Sequence, residues 1–252
     1  MKKLSLTTLS ALIGAMVVNG QEPAPGAIAG APAPAKPADP GEMALLYLGV
    51  LAKNNQMLRE YSWQSRLEVF EMDEDERKPL YVSLMVTRLD AKGIPQSTEM
   101  NKVLTTRKRN GLIRGNIQEK KLASIKETSN ALKQWILSYV YMARGDVVNF
   151  FDRAAKSDSA VYENAVMLRG SNVLRDGDSV ALTIDKVSGS PISLTFFVPT
   201  SKDMRVSARV HFRYLRDGSV FYADQVDARV WEEGDDESLN FKVENFDFSK
   251  GL

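Results

Sequence analysis

The sequence contains no cysteine and a single histidine, His211. The absence of cysteine excludes disulfides, thiolate-ligated zinc, iron–sulfur clusters and thiol catalysis. One histidine excludes every site that needs two imidazole groups. The chain also lacks an excess of either charge, because 33 Lys and Arg residues face 32 Asp and Glu residues. This balance argues against bulk binding to nucleic acid.

Motifs of the common catalytic sites are missing as well. Neither Gly-x-x-x-x-Gly-Lys-Ser/Thr nor Gly-x-Ser-x-Gly occurs in the chain. A two-residue turn at Asp217-Gly218 would place His211 opposite Asp224. Such a pair can orient a general base, but without a nucleophile motif a cross-strand contact on a polar face is favoured. The sequence therefore favours a protein that is not an enzyme, and it predicts no metal site and no cofactor.

The first 20 residues have the pattern of a secretory signal peptide. Two lysines precede an uncharged run over residues 4–18, and Val18-Asn19-Gly20 suits cleavage before Gln21. A retained membrane anchor is the alternative, although a spanning helix needs about 20 apolar residues. We expect a cleaved signal peptide and a periplasmic or secreted protein, with no cysteine for a lipoprotein anchor.

Residues 21–39 hold five of the ten prolines, and alanine and glycine make up most of the rest. This composition predicts a disordered linker. Asp39, Pro40 and Glu42 then suit the N-cap, first and third positions of a helix. We therefore predict a single folded domain over residues 40–252.

Periodicity divides the first part of this domain into one helix and three strands. Apolar residues at helical spacing predict a helix from residue 40 to about 60. Alternating polar and apolar residues predict strands over 61–70, 79–89 and about 96–105.

The central part of the domain is predicted to be helical. Asn116 and Glu119 suit a capping box, so a long helix is expected from there to about Arg144. Asp146 suits the N-cap of a second, short helix. After it, from about Val161, regularly spaced turns predict an antiparallel meander of about six strands. Five of these are expected over 180–185, 192–199, 205–215, 221–231 and 239–248.

This order of elements predicts an α+β fold, a large curved antiparallel sheet covered by helices. The strand opened by Tyr61-Ser62-Trp63, the hairpin block, the central helical insert and the closing meander resemble the LolA-like superfamily of periplasmic lipoprotein carriers. The resemblance covers residues 40–252. It implies an incomplete β-barrel with a helical lid over an apolar cavity, and a lipid or lipoprotein acyl chain as the partner.

Six aromatic residues lie on helices and strands that are expected to face one another. They are predicted either to line an apolar ligand cavity or to belong to a filled core. The close packing of most protein interiors favours the filled core. The six residues are Trp135, Tyr139, Phe150, Phe151, Phe196 and Phe212.

Two functional hypotheses follow for the domain. The first is an exported, non-enzymatic envelope protein that binds a lipid or other apolar ligand beneath a helical lid. The alternative is a structural or protein-interaction domain of the envelope, with a filled core and no small ligand. The sequence leaves the oligomeric state open.

A basic segment, residues 102–133, contains nine basic and two acidic residues, so its net charge is +7. It is predicted either to contact an anionic membrane surface or to be a solvated surface.

If the segment contacts an anionic surface, charge reversal at Lys120, Lys121 and Lys126 should reduce binding to anionic vesicles in a sedimentation assay. Added salt should also weaken binding, because exposed charges are screened over about 10 Å at 0.1 M. Unchanged binding would identify a solvated surface.

Overall fold

The computed structural model describes residues 40–71, 79–91, 93–104, 112–199, 204–232 and 238–251. The predicted signal peptide and linker lie outside these described residues. Among the helices that are described, none has the length and apolar character needed to cross a membrane.

Three helices and ten strands make up the described part of the chain. The helices are α1 (Pro40–Leu58), α2 (Leu112–Val140) and α3 (Arg144–Arg153). The strands are β1 (Tyr61–Glu71), β2 (Tyr81–Leu89), β3 (Pro95–Leu104), β4 (Ala155–Asp158), β5 (Ala165–Ser171), β6 (Ser179–Asp185), β7 (Pro191–Pro199), β8 (Met204–Tyr214), β9 (Phe221–Glu232) and β10 (Ser238–Lys250). The predicted meander of about six closing strands corresponds to β5 to β10, and the short strand β4 precedes it.

All ten strands belong to one sheet with the order β3-β2-β1-β10-β9-β8-β7-β6-β5-β4. The early hairpin block joins the closing meander through antiparallel pairing of β1 with β10. The sheet is curled and unclosed, and residues of all three helices pack with its inner face in one core. We define the inner face as the one that carries Leu67, Val210 and Val226. The predicted α+β fold class is confirmed.

Aromatic side chains of α3 fill the space over the β5 side of the inner face. Phe150 and Phe151 are both buried, and the Phe151 ring centroid lies 5.4 Å from that of Tyr47 on α1. A Cβ atom added at Gly170 of β5 would lie 3.0 Å from the Phe150 ring. Glycine at this position therefore permits the close approach of α3 to the sheet.

A buried hydrogen bond joins the end of α2 to the turn between β5 and β6. The Tyr139 hydroxyl donates to Asp178 Oδ2 at 2.6 Å, and the Asp178 carboxylate also accepts the backbone N–H groups of residues 173–175. The Tyr139 ring stacks on Phe196 with a centroid distance of 4.4 Å. Burial, together with the hydrogen bond to the carboxylate, raises the pKa of Tyr139.

The predicted starts of two helices need correction. α2 begins at Leu112, so Asn116 lies inside the helix and not at its N-cap. α3 begins at Arg144, which places Asp146 in its first turn while Ala143 is the N-cap residue. An acidic residue in the first turn is favourable for the helix dipole. The same sequence signal therefore fits either position.

A β-bulge changes the predicted partner of His211. The register expected from the turn holds beside the turn but shifts between His211 and Phe212. His211 therefore pairs with Gln225 on β9, and Asp224 forms an ion pair with Arg213 at 3.4 Å. The predicted pairing of His211 with Asp224 is wrong, because a bulge adds one residue to one strand of the pair.

The substitution Tyr139→Phe tests the hydrogen bond that anchors α2. It keeps the ring but leaves the Asp178 carboxylate without this donor, so the free energy of unfolding should fall by about 1.5–3 kcal/mol. Urea unfolding measures the change. Tyr162→Phe alters an exposed ring and should change stability by less than about 0.5 kcal/mol. Equal effects of the two substitutions would show that the buried bond is not stabilising.

Candidate functional site

A cavity of about 400 Å³ lies between the sheet and the helices α1 and α2. Strands β1, β2, β3, β9 and β10 contribute most of its floor. Its volume falls within the range of about 300–1,000 Å³ that is usual for small-molecule sites. The cavity therefore has the size of a ligand pocket.

Apolar side chains from both layers form much of the cavity wall. They belong to the helices as well as to the sheet, so an apolar ligand would be contacted from two sides. Examples are Leu132, Ile136 and Val140 of α2, and Phe212, Val226 and Val243 of the sheet.

A hydrogen-bonded row of polar side chains, the polar belt, crosses the cavity floor. Ser97 on β3 contacts Thr87 on β2 at 2.9 Å, and Thr87 contacts Ser65 on β1 at 3.0 Å. Ser65 donates to Asn245 Oδ1 on β10 at 2.5 Å, and Asn245 Nδ2 donates to the Ala223 carbonyl on β9 at 2.6 Å. Each member of the belt has a protein partner, so the belt is satisfied without a ligand.

Two other polar contacts shape the cavity. Glu99 of β3 accepts hydrogen bonds from the Tyr81 hydroxyl at 2.9 Å and the Ser83 hydroxyl at 3.0 Å. Asn54 of α1 donates to the carbonyl of Phe221 at 2.9 Å and accepts its backbone N–H at 2.8 Å. This pair of hydrogen bonds from a buried side-chain amide fixes α1 against the first residue of β9.

Two lysines of α2 also lie in the cavity wall. Lys126 and Lys133 are seven residues apart, close to two helical turns, and both line the cavity. Burial lowers the pKa of Lys133. Of the three lysines predicted to contact an anionic surface, Lys126 is thus placed at the cavity. The side chains of Lys120 and Lys121 lie outside the described residues.

The six predicted aromatic residues do not all lie in the cavity wall. Phe212 lines the cavity. Trp135 packs beside the core, with the Arg175 guanidinium 3.9 Å from its ring centroid. The other four belong to the filled core, and they are Tyr139, Phe150, Phe151 and Phe196. The structure thus brings these four together in the solid part of the core, and a role in ligand binding stays a prediction for the set.

The sequence reasoning missed the polar belt and Lys133 as residues of the site. A signal was present, because Ser65 alternates with Trp63 and Leu67 on one face of β1. A small polar residue between large apolar neighbours at inward positions leaves unfilled space.

Comparison with solved structures returns a crystal structure of a LolA superfamily protein from Nitrosomonas europaea. The two chains are 10% identical, and the match covers 82% of this chain and 94% of that chain with a TM-score of 0.35. No protein-family profile matches the chain, and no curated protein matches it significantly.

Two phenylalanine truncations should distinguish the solid core from the cavity wall. Phe151 is fully buried at 0% exposure, so Phe151→Ala should lower the free energy of unfolding by about 3–5 kcal/mol. Phe212→Ala should cost clearly less, because part of that ring already borders empty space and has fewer contacts to lose. Urea unfolding of both variants measures the difference. Equal costs would mean that the cavity is closed up in solution.

Proposed function

We propose that the protein is an exported, non-enzymatic binding protein that holds the apolar part of a lipid in this cavity. The observation that carries the proposal is a space of about 400 Å³, largely walled by apolar side chains, between the sheet and the helices α1 and α2. Unfilled apolar space in a core is destabilising. A ligand that occupies the space would recover the lost contacts.

The proposed ligand class is a lipid or a lipoprotein acyl chain. Its flexible hydrocarbon chain suits walls built from Leu132, Ile136 and Val140 on one side and Phe212 on the other. Burial of each methylene of such a chain contributes about 0.8 kcal/mol. The predicted signal peptide supports a place in the periplasm or outside the cell, where a carrier of this kind would work.

An uncharged apolar dye, N-phenylnaphthylamine, tests whether the cavity takes an apolar ligand. Its fluorescence should rise with the wild-type protein, and palmitate should reverse the rise by displacement. In the variant Ile136→Trp the larger indole occupies part of the space. Dye affinity should therefore fall by at least about tenfold, or about 1.4 kcal/mol.

The matched control is Gln134→Trp, which places the same side chain two residues away on the exposed surface of α2. This variant should bind the dye as the wild type does. If the wild type binds neither dye nor palmitate, and native mass spectrometry finds no bound lipid, the carrier proposal is wrong. The envelope interaction domain would then be the better description.

A further inference from the structure

The part of α2 that lines the cavity changes character along its length. Its earlier residues there are mostly polar, namely Lys126, Ser129, Asn130 and Lys133, with Leu132 as the apolar exception. The later residues Ile136, Leu137 and Val140 are apolar. The helix thus presents a charged end and an apolar end to the same space.

The cavity wall partly buries both lysines, and the position of Lys133 opposes its charge. Burial lowers the pKa of Lys133. Within the described part of the chain, neither ammonium group forms an ion pair. A partly buried cation without a counter-charge is unfavourable, so an anion at this end of the cavity would relieve the cost.

The other polar groups of the cavity wall do not supply that anion. The polar belt is neutral, and its members bond to one another or to the backbone. Glu99 is the acidic residue of the wall, and it accepts hydrogen bonds from Tyr81 and Ser83. Two lysines against one carboxylate leave the described wall with a net positive charge.

We propose that the ligand of this cavity is an anionic amphiphile whose carboxylate or phosphate head binds Lys126 and Lys133 while its tail lies along Ile136 and Val140. The assignment of the tail rests on the proposed function, and the assignment of the head rests on the lysines. Hydrogen bonds between an ammonium group and a carboxylate or phosphate are among the strong ones in proteins. The head would therefore fix the direction in which the tail enters.

Displacement of N-phenylnaphthylamine by three ligands with the same hydrocarbon tail tests the head group. The ligands are palmitate, hexadecyl phosphate and the uncharged hexadecanol. The wild type should bind at least one of the two anions about tenfold more tightly than hexadecanol, the factor that one charge-assisted hydrogen bond supplies. The anion with the higher affinity identifies the head as a carboxylate or a phosphate monoester.

The double variant Lys126→Gln with Lys133→Gln should lose this preference and keep its affinity for hexadecanol and for the dye. The control is Lys53→Gln with Lys156→Gln, which changes the net charge equally at two exposed lysines. It should keep the preference for the anion.

Equal affinity of the wild type for the alcohol and both anions would overturn the head-group assignment and leave the proposed function standing. So would a preference for the anion that survives in the cavity double variant. If the wild type binds neither the dye nor any of the three ligands, the proposed function fails and the head-group assignment fails with it.

Discussion

The helices cover an inner face that is apolar on the β6 to β8 side and carries polar side chains on the β1 to β3 side. One row of paired residues crosses the sheet from β6 to β2 and shows the change. It begins with Leu182 and Leu194, continues through Val210, Val226, Val243 and Leu67, and ends at Ser83. Small polar side chains such as Ser65, Ser83 and Ser97 fill less space beneath the helices than large apolar ones would. The cavity lies over this polar side of the sheet.

The filled side determines where α2 lies. Its last turns are held by the stack of Tyr139 on Phe196 and by the hydrogen bond from Tyr139 to Asp178. The Arg175 guanidinium over the Trp135 ring adds a second contact from the same turn. These contacts involve one side of α2. The adjacent side of the helix, which carries Ile136 and Val140 as well as Lys126 and Lys133, lines the cavity.

The strands could be predicted from the sequence because alternation is a local signal. The alternation along β1 shows that Trp63, Ser65 and Val69 lie on the same face of the strand without any knowledge of the neighbouring strands, and all three are buried. The meeting of residues across the sheet is not a local property. β1 pairs with β10, about 180 residues later in the chain, and this pairing brings Asn245 to Ser65.

The same distinction explains the outcome for the aromatic residues. Helical periodicity and strand alternation place the six residues at inward positions, and all six pack in or against the core. These patterns give no information on the residues that lie opposite each inward side chain, and therefore none on the space around it. Phe196 pairs across the sheet with Ala208 and is covered by Tyr139, whereas Phe212 lies where the wall is open. The space around a side chain depends on its partners, which the sequence pattern of one strand does not specify.

Curvature of the sheet completes the cavity, and irregular strand pairing contributes to it. Bulges or irregularities interrupt the register near Trp63, at Met85 and at Phe212, and all three of these side chains line the cavity. A bulge bends its strand and increases the local twist. A flat sheet would bring α1 and α2 against its surface along their whole length, whereas a bent one leaves a hollow beneath them. The bulge that displaced His211 from its predicted partner therefore also helps to shape the wall at Phe212.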